Sequence, residues 1–529
     1  MQDCGGKLTT NPLTDTNKNM KTTDIIKNKY VRQALFTLAA TLFVGLAFTM
    51  ADFYEMPYKN LKDLLIIVLQ FGVIETAVFL LIWLLSCNKY VFAFTFPLLI
   101  TVCAVATYFR YTANLTLTPM AIELAIINDV RTSMDVVTLP LIATTIIAII
   151  ASVGFVVVRF RYIKVGRAWL QAAAAIVLLN VLMSIPSLAR PINYRIPFVI
   201  YDSITTFLDN RKVAAEERPA FKGNIVCDAD TIDVVFIIGE TLRSKNMQIN
   251  GYQRPTTPYL VKEESLVSLP NIWSEYGFTH NSIPYIMTRA DHKNPDIAYE
   301  ERSFVDIFKQ AGYRTTWIAN QESVLTFIYF MNEADSLIYL NSGKSLYVYD
   351  QWVDGDILPE LDKQLSLQKN DSKRLFVLHT IGSHWWYKSH YTRQFARWKP
   401  ELKSRVLSSN SKEEFFNSYD NTVLYSDWFW QEVRNKFRSR NAIVIYLSDH
   451  AENLGENGVF GHGEDTDALH HPGCWIWMSD KYRATHPDKW KALNKSSKEK
   501  HNSAFLFHSI IDAGDIKTQY IDKQYNIFR

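Results

Sequence analysis

Hydrophobic positions are distributed very unevenly along the chain. Five long apolar runs occupy its first third: Gln33–Ala51, Leu64–Ser86, Val91–Phe109, Leu139–Val158 and Ala168–Ala189. Each holds about 20 residues, enough for a helix to cross a hydrocarbon core of ~30 Å. Four carry no charged side chain and the second carries only Glu75. A carboxyl group there is costly, and points either to function or to a hydrogen bond with a neighbouring helix. Five such lengths in succession predict five transmembrane helices over residues 31–190, after a polar tail of residues 1–30. The first run starts late and is long enough to span, so it reads as an anchor rather than a cleaved leader. The next stretch, Pro197–Leu208, sets Phe198, Ile200, Ile204, Phe207 and Leu208 against Asp202 and Asp209. That pattern predicts an interfacial helix, followed by a linker within residues 191–230.

From Thr231 the pattern changes to short β-branched runs alternating with helical periodicity. Strands are expected at Thr231–Ile238, Tyr313–Ala319, Arg374–His379, Ala442–Leu447 and Cys474–Met478, with helices at Ser303–Gln310 and Ser418–Phe437. The strand runs are apolar at successive positions, as in parallel strands buried on both faces. Residues 231–529 therefore read as an α/β domain with a mostly parallel sheet.

Basic residues set the orientation. Lys18, Lys21, Lys27, Lys29 and Arg32 precede the first run, Lys89 separates the second and third, and Arg159, Arg161, Lys164 and Arg167 separate the fourth and fifth. These segments belong on the cytoplasmic side, which places everything after about Arg190 outside, in a periplasmic or extracellular space. A net charge of +3 argues against nucleic acid as a partner. Cys227 and Cys474 are the cysteines of the outer domain; their spacing leaves a disulfide open.

Candidate chemistry sits at two strand ends about 200 residues apart. One run ends in Gly239-Glu240-Thr241, the other in Ser448-Asp449-His450. Ligands bind beyond the carboxyl ends of strands in open α/β sheets. A carboxylate and an Asp-His pair meeting there would supply three zinc ligands and leave a fourth position open, as at a catalytic zinc. Thr241 would face away if Glu240 faces the metal. Thr279, in Tyr276-Gly277-Phe278-Thr279-His280, is the better nucleophile, at the start of a short helix whose N–H groups would face phosphate oxygens. Glu452 and His462 lie on the glycine-rich loop that follows His450. For His462 the alternative is a solvated loop residue.

Several further segments accompany these: Gly251-Tyr252 with Arg254-Pro255-Thr256-Thr257-Pro258, Lys293-Asn294-Pro295-Asp296, Gln310-Ala311-Gly312-Tyr313, Trp317-Ile318 with Asn320-Gln321, Leu378-His379 with Gly382-Ser383-His384, and Tyr419-Asp420-Asn421. Together they resemble the bacterial phosphoethanolamine transferases of the alkaline phosphatase and sulfatase superfamily, nearest to the branch that modifies the lipopolysaccharide core. The resemblance implies an N-terminal α-helical membrane domain of five transmembrane helices plus an α/β sulfatase-like (alkaline phosphatase-like) soluble domain.

It also implies one zinc ion, with a second left open, held by Glu240, Thr279, Asp449 and His450. Thr279 would be the nucleophile that accepts phosphoethanolamine from phosphatidylethanolamine, releases diacylglycerol, and passes the group to a lipopolysaccharide core sugar, lipid A or another envelope glycan. His384 and His462 match histidines that contact phosphate or a second zinc. Glu452 matches an accessory acidic position. Asn128 and Thr132, in the long loop Arg110–Thr138, match residues that hold the lipid headgroup.

The chain departs from the family pattern in places. Val136, beside Asp135, stands where a Glu is expected, and Ala451 replaces the Gly after the Asp-His pair. Two rival readings share many of these features: a phosphoglycerol transferase using phosphatidylglycerol, and a non-catalytic membrane-anchored binding protein. The lack of a Cys-x-Pro-x-Arg segment for formylglycine argues against a sulfatase.

Overall fold

A computed structural model describes residues 28–113, 115–119, 121–122, 137–214, 218–321, 325–344, 350–367, 372–405, 409–461 and 465–529. The helical region contains α1 (Lys29–Ala47), α2 (Leu61–Ser86), α3 (Lys89–Ala113), α4 (Leu139–Tyr162), α5 (Ala168–Met183), α6 (Pro186–Asn193) and α7 (Phe198–Ala214). Among the described residues, four helices are long and apolar enough to cross a membrane, or five if the bent pair α5 and α6 is one span. The last apolar run thus differs from the uninterrupted helix expected. It breaks after 16 residues and turns through 102°. Pro186 is the cause: it starts α6 and cannot continue the hydrogen-bond ladder of α5. The Glu75 carboxylate of α2 packs against α1 at Gly45, where an added Cβ would lie 2.4 Å from Oε2.

The second region is built on a seven-stranded sheet. Its strands are β1 (Ile232–Gly239), β2 (Leu266–Ser268), β3 (Arg314–Ala319), β4 (Ser336–Tyr339), β5 (Lys373–His379), β6 (Ala442–Ser448) and β7 (Cys474–Met478). They lie in the order β2-β7-β6-β1-β5-β3-β4. The five strands from β6 to β4 are parallel, whereas β7 runs antiparallel to both β6 and β2. The five expected strands are all present, with ends shifted by a residue at most. The short edge strands β2 and β4 were not anticipated, because three or four residues are too few to show a period.

Both faces of the sheet are covered, which explains why its strands are apolar throughout. On one face Val234, Phe236 and Ile238 of β1 pack with Ile445 and Leu447 of β6, beneath α8 (Thr279–Met287), α9 (Phe304–Gln310) and α12 (Phe505–Ala513). On the other, Val235 and Ile237 pack with Val444 and Tyr446 beneath α10 (Ile357–Leu367) and α11 (Lys412–Phe437). Each fully buried side chain of this kind contributes roughly 1.5–3 kcal/mol. Helix α11 starts six residues earlier than the apolar pattern indicated. A capping box formed by Ser411 and Glu414 fixes its start.

The two regions touch through polar contacts. Lys59 Nζ, just before α2, lies 2.7 Å from Glu414 Oε2, and Asp63 of α2 accepts a hydrogen bond from Ser409. The Thr116 amide donates to Gly343 O at 2.8 Å. Cys227 and Cys474 are free: Cys474 is buried in β7, and the Cys227 thiol donates to Gly514 O.

Candidate active site

Strand register brings the two motifs together. β1 and β6 pair in parallel with Gly239 opposite Ser448, so Glu240 and Asp449 leave the sheet side by side. The Asp449 amide donates to Gly239 O, and Leu242 N donates to Ser448 Oγ, which ties the two turns to each other. Helix α8 is fastened to the same corner, since Ser282 Oγ and Ser274 Oγ both donate to Asp449 O, at 2.7 and 3.0 Å. Thr279, the first residue of α8, therefore reaches the cluster.

Glu240, Asp449 and His450 are buried, and one ligand atom from each lies within 4.8 Å of the others. Thr279 Oγ1 is 3.3 Å from Glu240 Oε2 and 3.2 Å from His450 Nε2. The His450 Nδ1 proton is committed to Ala451 O at 2.7 Å, because a carbonyl can only accept. The Nε2 lone pair therefore faces the carboxylates, 3.6 Å from Glu240 Oε1 and 3.4 Å from Asp449 Oδ2. Asp449 Oδ1 takes two backbone N–H groups, from Thr241 and His450. Among the described residues, its Oδ2 is buried without a hydrogen-bond donor.

Three acceptors thus converge in a buried space where Thr279 brings one hydroxyl proton. Burial, and then the charge of Asp449, push the Glu240 carboxyl well above the ordinary carboxylate range. Such a set fits a divalent cation, and its N/O donors suit zinc. Thr279 is only half-buried, so it connects the enclosed ligands to the outside.

Other residues set the shape of the site. Thr241 has φ +59, a strained conformation for a β-branched residue. This turns its hydroxyl back onto Glu240 Oε1 at 2.5 Å, rather than away from it as expected. Tyr419 of α11 holds the strained peptide by donating to Thr241 O at 2.7 Å. Gln321, beyond β3, donates to Glu240 Oε2 at 3.1 Å. Its part in the site was missed, although it lies in a segment quoted for the resemblance. Gly382, beyond β5, has φ +53, and a Cβ there would sit 2.6 Å from Glu240 O. Its neighbour Ser383 donates its amide to that same oxygen.

The remaining expected residues divide. His384 lies beyond β5 and donates Nδ1–H to Trp385 O at 2.6 Å; it is not one of the clustered ligands. Trp385 stacks on Phe415, and Tyr387 is buried, which makes this segment a wall. Glu452 is buried and accepts from Tyr387 at 2.8 Å instead of joining the cluster. Ala451 is accommodated without strain: it is buried outside the left-handed region and donates its amide to Leu469 O. His470 and His471 pair with Asp465 and Asp467. Asn128, Thr132, Val136 and His462 lie outside the described residues.

Residues 232–516 match the sulfatase family. The chain belongs to that family. Among curated proteins it is similar to the Kdo(2)-lipid A phosphoethanolamine 7''-transferase of Escherichia coli K12, with 34% identity over 270 residues. That match covers 48% of this chain and 46% of the relative. The chain spans about half the length of the curated relatives it matches. Among solved structures it is similar to the periplasmic domain of Escherichia coli EptC in complex with Zn, at 25% identity and a TM-score of 0.53. That match covers 59% of this chain and 90% of that one. Across 93% of this chain and 98% of the other, the fold matches the integral membrane lipooligosaccharide phosphoethanolamine transferase A from Neisseria meningitidis, with a TM-score of 0.52 at 19% identity. The architecture is thus an apolar helical region joined to a sulfatase-type α/β domain.

Proposed function

We propose that this sulfatase-family chain is a zinc-dependent phosphoethanolamine transferase of the inner membrane, with residues 231–529 in the periplasm. The donor is phosphatidylethanolamine, and the acceptor is a lipopolysaccharide core sugar, lipid A or another envelope glycan. One observation carries the reading: the Thr279 hydroxyl stands within 3.4 Å of Glu240 and His450 at the open side of an enclosed acceptor cluster. The names of the matched relatives supply the transferred group, and the apolar helices fit a lipid donor.

Glu240, Asp449 and His450 would hold the ion, with Thr279 completing the set. Zinc bound there lowers the pKa of a coordinated hydroxyl and so makes a nucleophile at neutral pH. Thr279 Oγ attacks the phosphorus of the donor. A Thr279–phosphorus ester forms as the bond to the diacylglycerol oxygen breaks, and that oxygen takes up a proton. An acceptor hydroxyl or phosphate oxygen then attacks the same phosphorus, and the bond to Thr279 breaks. On the resemblance, His384 and His462 would meet the non-bridging oxygens, and Asn128 and Thr132 would hold the lipid headgroup.

The test uses the full chain in vesicles with fluorescent phosphatidylethanolamine or phosphatidylglycerol, alongside mass spectrometry of lipopolysaccharide from cells with and without the protein. Diacylglycerol should be released from the first lipid, and Thr279 should gain the mass of one phosphoethanolamine group. Thr279→Ala should abolish both. Equal turnover by Thr279→Ala would refute the proposal, and release from phosphatidylglycerol instead would establish the rival donor.

A further inference from the structure

We propose that Asp354, far in sequence from every ligand, is the positioning residue that fixes Glu240 for metal binding; this role rests on the zinc reading of the site. Asp354 lies in the turn before α10 and is 3% exposed. Its carboxylate collects three donors from two loops. Oδ1 accepts from Asn320 Nδ2 at 2.9 Å and from the Ile381 amide at 2.8 Å, and Oδ2 accepts from the Gly382 amide at 3.0 Å.

These two loops both grip Glu240. The loop after β3 carries Asn320 and then Gln321, whose amide donates to the Glu240 carboxylate. The loop after β5 carries Ile381, Gly382 and Ser383, with Gly382 lying flat on the Glu240 backbone and Ser383 N donating to Glu240 O at 3.0 Å. Thr380 N, at the base of the same loop, donates to Ile238 O in β1. One buried carboxylate therefore clamps the loop that orients the Glu240 side chain to the loop that fixes its main chain. A backbone N–H pair facing a buried carboxylate has no comparable partner if that carboxylate is lost. Direct partners of metal ligands typically change metal affinity by 10–100-fold when mutated, and Asp354 holds two such partners of Glu240 at once, Gln321 through Asn320 and Ser383 through Gly382. Asp356, two residues on and exposed, accepts from Asn341 Nδ2 and provides the control.

The experiment measures zinc affinity of the metal-stripped full chain in detergent, by competition with a chromophoric chelator, together with thermal melting without zinc. Wild type should bind zinc and Glu240→Gln should lose it. Failure of that comparison would remove the zinc reading, and this role with it. Given that baseline, Asp354→Asn should weaken zinc by 10–100-fold, and Asp356→Asn should match wild type. Combined with Gln321→Ala, Asp354→Asn should cost less than the product of the two single losses, because both act through Glu240. Zinc affinity within twofold of wild type, or fully multiplicative losses in the double variant, would overturn the proposal. Should Asp354→Asn fail to fold, Asn320→Ser removes one of the three donors. It should weaken zinc by about tenfold, and unchanged affinity would likewise overturn the role.

Discussion

Gly382→Ala gives a direct test of how closely the loop after β5 is fitted to Glu240. The added Cβ would lie 2.6 Å from Glu240 O and 2.9 Å from Glu240 N, against an ordinary contact of 3.4 Å or more. The shortfall is 3.4 − 2.6, or about 0.8 Å. Strand β1 cannot yield, because β5 and β6 pair with it on both sides. The loop must lift instead, which stretches the Ser383 N–Glu240 O bond from 3.0 Å beyond hydrogen-bonding distance. Holding alanine at φ +53 costs about 1–2 kcal/mol, and loss of the bond adds about 0.5–1.5 kcal/mol. The expected destabilisation is therefore about 1.5–3.5 kcal/mol, accompanied by a 10–100-fold loss of zinc affinity as Glu240 shifts.

Gly251→Ala is the matched control. Gly251 has φ +95, with open space where its Cβ would go, so it should show only the conformational cost and bind zinc normally. Chelator competition and denaturation of the full chain measure both effects. If Gly382→Ala bound zinc as wild type does, the loop would not position Glu240.

Other variants probe separate contacts. Thr241→Ala keeps the strained backbone and removes the hydroxyl, whereas Thr241→Gly removes both. Zinc affinity should fall by about tenfold in each, with the glycine variant more stable than the alanine variant by about 1 kcal/mol in denaturation experiments. At the contact between regions, burial acts to raise the Glu414 carboxyl, but bonds from Lys59 and Ser411 outweigh it and hold the group below its ordinary value. Its stabilising contribution is thus present above the ordinary value of 4.5 and is lost as pH falls through the lower folded value. Lys59→Ala should therefore lower the melting temperature at about pH 7 by the equivalent of ~0.2–1 kcal/mol, and the effect should shrink as pH falls below the ordinary value of 4.5. In the core, Ile237→Ala, on the face of β1 that packs beneath α11, should cost about 2–5 kcal/mol in denaturation experiments.

Much of the molecule was legible in the sequence, for a local reason. A strand buried on both faces must be apolar at successive positions, so β1, β3, β5, β6 and β7 announced themselves, as did four long helices whose central apolar runs carry no charge but that of Glu75. The place where each strand run broke into Glu240 or Asp449-His450 marked the site's edge, because a side chain just past a strand's carboxyl end faces the same crevice in every parallel strand. What tertiary structure decided was everything set by register and by backbone angle. Gly239 stands opposite Ser448 only because β1 pairs with β6 and not with another strand. Thr241 turns its hydroxyl toward Glu240 because Tyr419, from a distant helix, holds a conformation that its own sequence disfavours. Asp354 carried no signal at all. Its role depends on three donors from two loops, and the chain brings those loops within reach only once the sheet has formed.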